Sequence, residues 1–301
     1  MDPKPRALAP ELLAKLELLR VATRRVHSGR YAARTRSRRL GAGIDFADHR
    51  SYTPGDDLKY VDWTLYGRLD VLMIRLSEEE TELNVHLLVD LSGSMDLSIG
   101  ESVGDRKSDL ARQCSAALAY VALSNLDQVR VWPYAGELGR PLVPARKRSQ
   151  VLKVWDFLGE QELEAGTDLL GAAKRFVQLS RDRGVVVLIS DLPGDDYRQA
   201  CDLLLHERYD VGIVHLQTPG EVAVPLRGER FDLVDGETGE VLRGVTRDEV
   251  DAVRKGTQDH GDELARYCRL RGVPLVQTVT GDPTDLEHLV LTLFRGRGLL
   301  R

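Results

Sequence analysis

Five oxygen-bearing side chains, Asp90, Ser92, Ser94, Thr167 and Asp191, could together hold a hard divalent cation. Asp90, Ser92 and Ser94 alternate within VHLLVDLSGSM, Thr167 lies in EAGTDL, and Asp191 lies in VVVLISDLPG. An ion such as Mg2+ takes about six oxygen ligands in near-octahedral geometry and keeps several waters; Mn2+ or Ca2+ are alternatives. Three hydroxyls and two carboxylates barely neutralise its charge, so an open position would draw an acidic group from outside. Taken alone, D-x-S-x-S is ambiguous, because Asp and Ser also cap helices and shape turns. Thr167 has the further reading of a helix N-cap, a role that Asp168 fits equally well. Gly93 and Gly166 suit loops whose backbone passes close to an ion.

These residues need a sheet to bring them together. Val and Leu fill the run before Asp90, and VVVLI precedes Asp191, as in buried parallel strands. From about residue 81, strands expected at 85–91, 129–134, 185–190, 211–217 and 274–280 alternate with helices expected at 107–126, 149–158, 168–180, 197–206, 246–271 and 285–294. Ser149 is a plausible cap for the second helix, and the fifth is expected to loosen near Gly256 and Gly261. A short edge strand is expected at 140–144. That alternation predicts an α/β fold of Rossmann type: a doubly wound, mainly parallel sheet flanked by helices, with ligands at its carboxyl edge. Residues 231–234 and 240–243 around DGETG read as an inserted hairpin at about 225–245. Residues 1–80 precede this domain of 81–301. They read as a helix over 10–27, a basic segment, and a small β-rich accessory region with the turn TPGDD.

Composition narrows the class. The chain has 301 residues, ample for a real core, and its net charge of −5 hides an asymmetry. Residues 1–50 carry 12 Lys/Arg against 5 Asp/Glu, whereas the remainder carries 30 against 42. Arg30, Arg34, Arg36, Arg38 and Arg39 form a dense basic segment, interleaved only by Tyr31, which gives little basis for stacking on nucleic-acid bases. A solvated face or an acidic protein surface suits it better, and no nucleic-acid partner is expected; binding to DNA or an anionic bilayer is the alternative. No run approaches the roughly 20 apolar residues of a membrane helix, and the first residues lack a secretory pattern. Cys114, Cys201 and Cys268 read as reduced, buried fillers. A cytoplasmic location is the expectation.

The order D-x-S-x-S, then Thr, then Asp resembles the metal-ion-dependent adhesion site (MIDAS) of von Willebrand factor A domains. The words GAGIDFADHRSYTPGDDLKYVDW, GRLDVLMIRLSEEE and LVDLSGSM resemble those of domain-of-unknown-function family 58 (DUF58), a bacterial family with such a domain. The resemblance implies a module, not an enzyme, that grips a partner's Asp or Glu through the metal. It also implies a partner among MoxR-type AAA+ ATPases, in systems that assemble or activate other proteins. Arg50, Asp56, Asp57, Asp62 and Arg68 are read as ion pairs pinning the accessory region to the α/β body, with partner docking as the alternative. The rival function is a metal-dependent phosphohydrolase with Asp90 as nucleophile. Against it, Ser92 stands where a second Asp is usual, no P-loop or nucleophile elbow is present, and no lysine lies in a ligand loop; Lys107 starts the next helix.

Overall fold

The computed structural model describes residues 45–78, 83–96, 106–218, 230–234, 240–280 and 296–300, with residues 14–16, 18, 19, 21 and 294. By compactness the chain divides into Thr23–Glu82 and a second unit that joins Met1–Ala22 to Leu83–Arg301. The basic segment, the tip of the inserted hairpin and most of the last expected helix lie outside the described residues.

In the smaller unit, β1 (Asp45–Ser51) pairs antiparallel with β2 (Met73–Glu78), and helix α1 (Trp63–Leu69) lies between them in sequence. Asp62 caps α1, its Oδ1 accepting from Thr64 N and Leu65 N at 3.0 Å while His49 Nε2 lies 2.9 Å from Oδ2. Arg50 donates twice to Asp56, at 2.6 Å each, and Thr53 N and Oγ1 close the same turn. Arg50, Asp56 and Asp62 thus organise turns and a helix start within this unit. A two-stranded unit has little apolar core, so hydrogen-bonded charges fix its turns instead. Trp63 is 57% exposed and meets Tyr66 edge-on at 6.0 Å.

The larger unit is built on five parallel strands: β3 (Asn84–Asp90), β4 (Gln128–Tyr134), β5 (Val185–Ser190), β6 (Asp210–Gln217) and β9 (Leu275–Val279), in the order β4-β3-β5-β6-β9. A hairpin of β7 (Arg230–Val234) and β8 (Val241–Thr246) interrupts the alternation after β6. The helices are α2 (Lys107–Ser124), α3 (Val151–Glu160), α4 (Leu169–Leu179), α5 (Asp196–His206) and α6 (Arg247–Arg271). Strand periodicity sorts the core into two halves. Val85, Leu87 and Val89 pack with Cys114, Leu118 and Val121 of α2 and with Val154 and Leu158 of α3. Leu88 faces the other way, toward Phe176 of α4, Leu204 of α5 and Leu264 of α6. All three cysteines are free and buried, as expected of apolar fillers.

The sheet and its helices match the fold class read from the sequence; several local expectations do not hold. The first helix expected at 10–27 is interrupted at Val21, which is in an antiparallel bridge with Leu300. Ser149 is not a cap: it lies in a 3-10 turn, Arg148–Gln150, and α3 begins behind Gln150. The edge strand at 140–144 shrinks to one bridge between Val131 and Leu142, since Pro141 and Pro144 have no N–H to continue a ladder. Helix α6 runs unbroken for 25 residues past Gly256 and Gly261. A capping box at Thr246 and Glu249 starts it and Gly272, at φ 60°, ends it, so its ends are well satisfied despite the two internal glycines.

Candidate metal centre

The chain leaves β3 toward β4 on one side and later returns to β5 on the other, so the strand order reverses between β3 and β5. At such a reversal the loops beyond the carboxyl ends diverge and leave a crevice, where open α/β sheets collect ligands. Asp90 ends β3 and Asp191 follows β5, so the two residues stand at the carboxyl ends of the adjacent strands where the order reverses. After β4, α3 packs with one core half and α4 with the other, so the chain must cross the sheet edge between them. The crossing carries Thr167. Its Glu164 N donates to Leu91 O at 3.0 Å, Ser92 bridges Glu164, and Asp168 N donates to Ala135 O at 2.9 Å. Asp168 takes the helix cap, accepting from Gly171 N at 2.7 Å, and Gly166 turns the loop at φ 79°.

Asp90 is fully buried. Its Oδ1 accepts from Ser92 N at 2.9 Å, and its Oδ2 accepts from Ser190 Oγ at 2.5 Å and Tyr134 Oη at 3.2 Å. Ser92 and Ser94, in the 3-10 turn region after β3, bring their hydroxyls to 3.2 Å of each other. Burial, and then the charge of Asp191, push the Asp90 carboxyl up to about 6. Tyr134 is pushed well above its ordinary value, first by burial, and keeps its proton to donate. Asp191 is 9% exposed, and its Oδ1 is buried with no hydrogen-bond partner. A carboxylate oxygen in that position lacks the donor that burial normally demands. Two neighbouring carboxylates, one with an orphaned oxygen, and a set of hydroxyls suit a hard cation, which Asp90, Ser92, Ser94, Thr167 and Asp191 could hold. Among the described residues no group of three or more His, Cys, Asp or Glu is placed to bind a metal, and the set above has only two such members.

Lys107 lies where expected, at the start of the next helix and outside the ligand loops. Lys107, the first residue of α2, puts its Nζ 2.5 Å from Asp191 Oδ2 and is only 1% exposed, so an ammonium does reach the site. The sequence carried a signal for it: a cation at a helix N-terminus opposes the helix dipole and calls for a carboxylate nearby. The supporting groups were also missed. His215 Nε2 donates to Asp191 O at 3.0 Å and His260 Nε2 to Leu192 O at 2.9 Å, holding a loop in which Leu192 has φ 46°. Beside it, a cavity of about 320 Å³ is lined by Asp191, Pro193, His215, Gln217, Thr257 and His260, among others.

Residues 48–263 match the family described as protein of unknown function DUF58. The chain belongs to this family. It is 26% identical over 266 residues to uncharacterized proteins of Mycobacterium tuberculosis and Mycobacterium bovis, spanning 86% of this chain and 82% of each relative. Among solved structures this DUF58 protein is similar to a conserved hypothetical protein, BatB, from Bacteroides thetaiotaomicron (TM-score 0.41, 13% identity, 71% of this chain and 98% of that one). It is also similar to an aerotolerance-related membrane protein from Bacteroides fragilis (TM-score 0.37, 16% identity, 59% and 88%). No helix among the described residues is long and apolar enough to cross a membrane.

Proposed function

We propose that this DUF58 protein is a metal-dependent protein-binding module with a von Willebrand factor A-like domain. Asp90, Ser92, Ser94, Thr167 and Asp191 hold Mg2+, or Mn2+ or Ca2+, in a MIDAS-type site, and an Asp or Glu of a partner completes its coordination. The observation that carries the reading is the orphaned, buried Oδ1 of Asp191 beside a second buried carboxylate at the strand-order reversal. The ion supplies an under-neutralised positive charge; Ser190 and Tyr134 keep Asp90 oriented, and His215 and His260 keep the Asp191 loop in place. The family words around Gly41–Met95 support a cytoplasmic MoxR-type AAA+ ATPase as the partner, in the assembly or activation of other proteins. Co-purification with such an ATPase in Mg2+ tests this. An Asp90→Ala protein with an unchanged circular dichroism spectrum should lose the partner, and unchanged capture would defeat the proposal.

A second reading, a metal-dependent phosphohydrolase, gains support from Lys107, because a buried ammonium beside the carboxylates could also face a phosphoryl group. Against it, Ser92 occupies the position where a second carboxylate would serve as acid or base. Turnover of generic phosphate esters in Mg2+ that is lost in Asp90→Asn would favour this reading over the binding module.

A further inference from the structure

We propose that Lys107 is the resident cation of this site, competing with a divalent ion for the Asp90–Asp191 carboxylate pair, so that metal loading requires its ammonium to leave Asp191. This rests on the divalent site proposed above and adds a residue that sets how readily that site fills. Nζ lies 2.5 Å from Asp191 Oδ2 in a side chain that is 1% exposed, so it occupies an oxygen of one of the two carboxylates proposed to hold the ion. The N-terminus of the 18-residue α2 disfavours a cation, and the ion pair with Asp191 offsets that repulsion. The other oxygen of the same carboxylate has no hydrogen-bond partner, so one ammonium does not satisfy the group. A divalent ion on either oxygen would face a like charge across a single carboxylate in a buried setting, where repulsion is poorly screened. The lysine's four-carbon stem lets the ammonium withdraw without moving the backbone of α2. In the closed form the ammonium occupies one oxygen of Asp191 and the site offers a partner's acid nothing. In the loaded form the ion replaces Lys107 and presents an open position.

Two measurements on the full chain test this. Calorimetric titration with Mn2+ should give about ten-fold tighter binding to Lys107→Met than to the wild type. Acylation of the wild-type protein by an amine reagent, read by mass spectrometry, should label Lys107 several-fold faster in Mg2+ than in chelator, with exposed Lys153 unchanged. The labelling needs no substitution, so it decides the matter even where Lys107→Met fails to fold. Equal Mn2+ affinity in the two proteins, or Lys107 labelling that does not respond to metal that does bind, would overturn the role of Lys107 and leave the divalent site standing. No Mn2+ uptake by either protein would overturn the site itself, and this inference with it.

Discussion

Strand β3 carries two buried titratable side chains on one face, His86 and Asp90, and the two ends of the strand treat them in opposite ways. At the amino end His86 is given what a neutral imidazole needs. Trp132 Nε1 donates to its Nδ1 at 3.4 Å, its Nε2 donates to Asp182 O at 3.1 Å, and Phe176 and Tyr209 meet the ring edge-on at 5.0 and 5.9 Å. Burial lowers its pKa to about 4, so the ring stays uncharged and acts as a polar part of the core. At the carboxyl end Asp90 is pushed up to about 6, with Asp191 close enough to contribute, and an oxygen of Asp191 is left without a partner. Folding alone would not select the second arrangement. Most buried polar groups find partners, and a carboxylate oxygen left without one beside a second buried carboxylate fits the divalent site proposed above.

The sharpest way to break this contrast is to remove one member of the charged pair. Asp191→Ala takes one carboxylate from the buried ammonium of Lys107, and should lower metal-free stability in urea unfolding by at most about 3–5 kcal/mol. Adding Lys107→Met should recover part of that loss in a double-mutant cycle, because the buried ammonium then goes with its carboxylate. Additive losses would show that the pair is not coupled.

The pH dependence should have opposite signs at the two ends of β3. A buried base with a lowered pKa contributes stability that is complete above about 6.5 and is lost as pH falls toward 4, on the order of 3 kcal/mol for His86. His86→Leu should flatten that acid limb. For Asp90 the raised pKa reverses the sign: the penalty is absent below about 3.8 and grows as pH rises through about 6. Asp90→Asn should therefore stabilise the metal-free protein at pH 8 by roughly 2–3 kcal/mol, measured in chelator. Destabilisation there would mean that Asp90 is a scaffold residue after all.

The smallest effects separate neighbours in the crossing loop. Asp168→Ala removes the cap of α4 and should cost about 1 kcal/mol with metal affinity nearly intact. Thr167→Ala should change metal-free stability by less than about 0.5 kcal/mol yet weaken metal binding. The reverse pattern would move the ligand role from Thr167 to Asp168.

The layered sheet was legible because strands buried on both faces read as apolar runs, and β5 was bounded to the residue at 185–190. The order of strands was not legible, and only that order explains why Asp90 and Asp191 stand at the ends of adjacent strands where it reverses. The glycines of α6 misled because propensity is a local preference, whereas a capped 25-residue helix that packs Leu264 and Cys268 into the core is set by its whole length. Lys107 was placed at its helix start, but its pairing with Asp191, 84 positions away, leaves no local pattern beyond an ill-placed cation. The ion pairs of the smaller unit were visible as residues around a turn; their partners depended on tertiary pairing.

The central claim, a divalent ion held by two carboxylates and three hydroxyls, is most directly tested by titrating chelator-stripped protein with Mn2+ and reading the free ion by electron paramagnetic resonance. One ion taken up per chain, with affinity lost in Asp90→Asn and in Asp191→Asn, is the predicted result. Uptake that is absent at millimolar Mn2+, or unchanged in both variants, would contradict it.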